Sequence, residues 1–118
     1  GFTKLLWAKA CWDQDQPQTH EHLREALLDL NKAVECSPQS WGMALGNRSY
    51  VRYLQGDAPG AETDFAQALR AEKFSGKELY EGTLKDFDLH PIPEDAGMRE
   101  LVERLWAEYQ TEQKGKPQ

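Results

Sequence analysis

Three histidines, two cysteines and twenty carboxylates are the groups in this 118-residue chain from which a reactive site could be built. His20 and His22 flank Glu21. Side chains two apart point to different sides of a helix, so the two imidazoles cannot share one metal as an i, i+4 pair would; they read as a polar helix start. His90, between Leu89 and Pro91, has no cysteine or serine beside it in sequence. Cys11 would be a nucleophile only with a histidine brought to it through space, and a lone buried thiol otherwise behaves as a small hydrophobe. Asp13 and Asp15 alternate like the start of a calcium loop, but Pro17 and the missing glycine and distal glutamate spoil the motif. Gly42 and Gly46 fall inside a helical stretch and Gly56 and Gly60 at a turn, so no glycine loop is set to cradle phosphate. The pairs Asp86 with Asp88 and Glu94 with Asp95 are what any acidic surface offers. The expectation is a non-enzyme, with no catalytic residue, no metal ligands and no cofactor.

The elements that must position these groups are helices. Apolar residues recur near every 3.6 positions and nowhere alternate cleanly. The first helix is expected over 2–13, its face made by Leu5, Leu6, Trp7, Ala8, Cys11 and Trp12. Pro17 breaks the chain, and Thr19 caps a second helix over about 20–36. Ser37-Pro38 ends it, and Ser40 caps a third over about 41–54. Gly56-Asp57 turns the chain. Asp57 caps a fourth helix over 58–72, with Pro59 in a first turn that needs no N–H from it. Ser75 and Glu78 have capping-box spacing for a fifth over 76–87. The segment 88–95, with two prolines, is a rigid connector to a sixth over 94–112, and the tail 113–118 should fray.

Two of these helices repeat each other. Ala26, Leu30 and Ala33 recur 35 residues later as Ala61, Phe65 and Ala68, each large residue preceded by an aspartate, Asp29 or Asp64. Small residues let a neighbouring helix approach while leucine or phenylalanine fills the gap, and a period in the mid-thirties is that of a helix-turn-helix solenoid. The pattern resembles the tetratricopeptide repeat, over two repeats in residues 2–72 and a degenerate third in 73–112. Ser49 and Arg52 stand where that family has a glycine and an aromatic residue, and Lys73 stands where the first repeat has Pro38. The resemblance implies an all-α, right-handed superhelix of antiparallel helix pairs, with about six helices in one domain, 1–112. The last pair, lacking the alanine pattern, would be the end unit that such solenoids require. Gly1 leads straight into apolar sequence, as in a processed piece of a longer protein, with further repeats expected upstream.

In that family the first helix of each pair lines a concave surface that holds another protein. Carried onto this chain, the groove residues are Lys9, Trp12, Met43, Asn47, Tyr50, Tyr53, Lys77 and Glu81. Tyrosine suits such a role because it buries a large area and keeps a hydroxyl handle. Asn47 and Lys77 fall near the positions of the carboxylate clamp of some tetratricopeptide co-chaperones, but Leu5 and Glu81 stand where that clamp wants polar or basic groups.

Charge adds a second candidate surface. The net charge is −6, and residues 77–112 carry ten acids against four bases. Glu78, Glu81, Asp86 and Asp88 concentrate the negative field, which repels a phosphate backbone and attracts a basic protein. Nucleic acid is thus a poor partner. No apolar run nears the roughly 18 residues of a membrane span. Cys11 and Cys36, too few for a disulfide framework, suit free thiols in a reducing, cytoplasmic setting, although facing helices would permit a bridge. The expected function is a protein-protein interaction module or adaptor. The alternatives are a bacterial immunity protein or antitoxin that plugs a toxin, and a secretion chaperone.

Overall fold

Apolar stripes and breakers resolve into six helices in a computed structural model that describes residues 2–12, 16–36, 42–71, 75–89 and 91–115. They are α1 (Phe2–Ala10), α2 (Gln16–Cys36), α3 (Gly42–Leu54), α4 (Ala58–Leu69), α5 (Gly76–Phe87) and α6 (Asp95–Lys114). The described residues contain no strand, and none of their helices is long and apolar enough to cross a membrane. The expected roles of Asp13, Asp15, Ser37, Pro38, Ser40, Lys73 and His90 lie outside the described residues.

Each helix packs on the next, and α3 also meets α5 while α4 meets α6. Ala26, Ala61, Phe65 and Ala68 are all wholly buried, so both repeats put a small residue where a neighbour approaches. Leu5, Leu23, Val51, Leu69, Met98 and Val102 complete the centre of one core. Ala33 departs from the pattern and is exposed. With 21 residues α2 is far longer than α1, with 9, or α3, with 13.

Two buried polar links fix the third helix to the fourth. Arg48 grips Asp64 with two hydrogen bonds, Nε to Oδ2 at 2.8 Å and Nη2 to Oδ1 at 2.7 Å. It also donates to Asn31 on α2 at 3.2 Å, while Arg52 pairs with the same carboxylate at 3.2 Å. One residue closer to the turn, the Ser49 hydroxyl donates to the Ala61 carbonyl at 2.6 Å, as antiparallel helices require. The pairs Glu62 with Arg104 and Arg70 with Glu112 are each separated by 42 residues. A constant separation means that α4 and α6 run parallel.

Several boundaries differ from expectation. Pro17 does not break the second helix but sits in its first turn, where its absent N–H is not needed; Thr19, expected as the cap, is buried within it. α1 stops at Ala10 and α4 at Leu69. Asp57 caps α4 as expected, accepting from the Gly60 N–H at 2.9 Å. Ser75 precedes α5 but makes no side-chain cap bond. The last helix runs two residues beyond its expected end at 112. It continues to Lys114, tied down by Arg70 and Glu112 and by a cation in its last turn that opposes the helix dipole. Cys11 and Cys36 are free, and Cys36 is exposed.

Candidate functional site

α3 and α5 do not close on each other completely. Between them lies a cleft of about 250 Å³. α3 contributes Met43, Gly46 and Asn47, and α5 contributes Glu78, Leu79, Gly82, Thr83 and Asp86. Spacings of three and four put each set on one face of its helix. Leu79 is buried and forms apolar floor, while Met43 is 46% exposed at the mouth. Two glycines shape the space. A Cβ on Gly46 would come within 2.8 Å of Leu79 Cδ1, so glycine permits the approach of α3 to α5. A Cβ on Gly82 would meet nothing within 4 Å, so at that point the backbone itself borders open space. Thr83 offers no free hydroxyl proton, since its Oγ1 donates to the Leu79 carbonyl at 2.8 Å.

The polar groups left to this cleft are the Asn47 amide and two carboxylates. Among the described residues, neither Glu78 nor Asp86 has an ion-pair partner within 4 Å. The nearby Glu81, by contrast, pairs with Lys77 at 3.7 Å. Burial raises the Asp86 carboxyl above its ordinary range, and the positive charge of Lys9 opposes that rise only in part. Asp86 is therefore a carboxylate held short of solvent and short of counter-charge.

Beneath this region lies a buried polar node joining three helices. Lys9 of α1 is 3% exposed, with Nζ 3.4 Å from Asp95 Oδ2 and 4.8 Å from the centre of the Tyr50 ring. The Tyr50 hydroxyl donates to Asp95 Oδ1, and the Ile92 N–H donates to Oδ2 at 3.2 Å. Nζ has no partner in hydrogen-bond geometry among the described residues, so Asp95 holds it by charge. Burial lowers the Lys9 ammonium below its usual range, against the opposing pull of Asp95 and then Asp86. Burial, followed by the bond to Asp95, drives the Tyr50 phenol far above its own. Tyr50 also meets Phe87 edge-on at 5.3 Å.

Of the residues expected in a groove, Met43 and Asn47 line the cleft, together with Glu78 and Asp86 from the acidic set. Lys9 and Tyr50 instead belong to the interior. Trp12 packs half-buried against the core. Tyr53 lies across Gly97 so closely that a Cβ there would collide with it. Lys77 and Glu81 occupy the exposed side of α5, and Asp88 is exposed just beyond its end. Gly46, Leu79, Gly82 and Thr83 were not expected at a site. The one legible signal was glycine in the interior of a helix, where it costs stability and calls for a reason.

Among the described residues, no cluster of three histidine, cysteine or acidic side chains is placed to take a metal ion. Comparison of the chain with known protein families, with characterised proteins and with solved structures returned no match. The class that fold and site define is thus an all-helical domain with an acidic cleft between its third and fifth helices.

Proposed function

We propose that this chain is a protein-binding scaffold of the tetratricopeptide type, its helix pairs stacked in a right-handed superhelix, and that it holds a partner protein through the cleft between α3 and α5. The observation that carries this reading is the cleft itself, with an exposed Met43 at its mouth and two carboxylates that lack counter-ions among the described residues. Half-exposed methionine adapts its shape to different contacts, and desolvated charge raises the gain from pairing with an incoming cation. The parallel run of α4 and α6, together with the antiparallel pairing of α3 with α4, supports the stacking.

A photo-reactive benzoylphenylalanine in place of Met43 tests it. Irradiation in a lysate of the native host should yield a discrete cross-linked protein. The same group at Gln67, exposed on α4, should not give that product. Equal yields from both positions would remove the cleft as the binding surface. A second reading, in which the chain caps a basic site on a toxin as an immunity protein does, is favoured by one observation: Glu81 and Asp88 extend the exposed acidic face beyond the cleft. Lysine at both positions should then speed dissociation at physiological salt, where long-range steering is screened, whereas a peptide confined to the cleft would dissociate as before.

A further inference from the structure

The dimensions of the cleft restrict what fits it. About 250 Å³ lies below the roughly 300–1,000 Å³ of pockets that enclose drug-sized molecules, so the cleft does not engulf a ligand but can seat part of a segment that extends beyond it. Glu78, Gly82 and Asp86 follow one another every four residues along α5. At about 1.5 Å per residue, the two carboxylates stand on backbone positions roughly 12 Å apart, with the open glycine midway. One cation cannot serve both. An extended peptide rises about 3.3 Å per residue and alternates its side chains between two faces, so side chains four positions apart share a face and cover that distance.

Resting on the reading of this cleft as the partner-binding surface, we infer that it takes an extended basic segment of the partner, with two arginines four residues apart, one at Glu78 and one at Asp86. The segment's backbone passes over Gly82, where no side chain intervenes, and the Asn47 amide is available to it. Met43 and Leu79 cover the aliphatic stems, as apolar surface does for long cationic side chains. Arginine suits the Asp86 end better than lysine because a guanidinium is more weakly hydrated and loses less on entering a half-buried site. Asp86 lacks a close cationic partner among the described residues, and an arginine supplies one.

The probe is an acetylated, amidated five-residue peptide with arginine at both ends and alanine between, titrated into the full chain and followed by NMR. Saturable shifts are expected at the Met43 methyl and at the amides of Gly46, Asn47 and Gly82. Glu78→Gln and Asp86→Asn should each weaken binding roughly three- to tenfold, the range of a partly exposed to partly buried ion pair. Gly82→Leu should abolish it without lowering Tm, since the new side chain enters open space. Equal binding of the peptide with glutamate at both ends, or indifference to both carboxylate substitutions, would overturn the cationic occupant. Equal binding of adjacent arginines would overturn the spacing. If the peptide fails while the Met43 cross-link forms and is lost in Gly82→Leu, this inference falls and the scaffold reading stands. If the cross-link is indifferent to Gly82→Leu, the scaffold reading falls with it.

Discussion

Asp86 is a residue whose contributions to stability and to binding oppose each other. Its carboxyl is raised by burial, so the folded chain keeps this proton to a higher pH than the unfolded chain does. The resulting stabilisation is complete below the ordinary aspartate pKa of about 4 and is lost as pH rises through the folded value. At neutral pH the ionised group is a net burden. Asp86→Asn should therefore raise Tm at pH 7 relative to the wild type and change it much less at pH 4, while weakening the diarginine peptide. Thermal melts at the two pH values check this; a lower Tm at pH 7 would mean that Lys9 already compensates the charge. Lys9 has the opposite dependence. Its lowered ammonium gives stability that is present above its unfolded pKa and lost as pH falls through the folded one. In sequence, Asp86 looked like any surface acid and Lys9 like a groove cation. What distinguishes both is the set of helices packed over them, and nothing local encodes that.

At the scale of the helices, the Asp64 network shows how far a repeat can be read. Aspartate precedes the large residue in both repeats, yet the two do different work. Asp64 is 1% exposed and carries two arginines from α3, whereas Asp29 is exposed on α2. Removing one partner of a buried pair leaves the other charge uncompensated, at about 3–5 kcal/mol. Asp64→Ala should approach the lower end of that range in urea denaturation, because Arg48 and Arg52 keep some access to water. Arg52→Ala should cost far less, since the bidentate grip of Arg48 survives it. Equal losses would show that Arg52 is the principal partner. The helices themselves were legible because apolar period and the Asp57 cap are local signals. Pro17 was misread because its meaning depends on whether a helix starts before or after it. The cleft was half legible: Met43 and Asn47 came from the family resemblance and Glu78 and Asp86 from charge, while Gly46 and Gly82 signalled only as glycines inside helices, which says that a reason exists but not what it is.

For the whole molecule, α6 closes the structure. Met98, Val102 and Leu105 enter the common core, and Asp95 receives both Tyr50 and Lys9. A chain ending at Glu94 would lose that apolar burial, at about 25 cal/mol per Å², and leave a buried ammonium without its counter-ion. It should lose the cooperative thermal transition of the full chain in calorimetry. A fragment 1–94 that melts sharply would make α6 an accessory rather than part of the core.

The meeting of Lys9 with Asp95 also sets an order in time. A ribosome adds roughly 5–20 residues per second, so the anion that neutralises Lys9 is made roughly 4–17 s after the lysine itself. Throughout that interval α1 can dock on α2, but its ammonium must stay hydrated, which keeps the hairpin loosely seated. The emergence of the last helix is what allows the first to be buried for good. Folding of this domain thus waits on synthesis of its sixth helix, and a product cut short before Asp95 would expose its unlocked first helix to quality control.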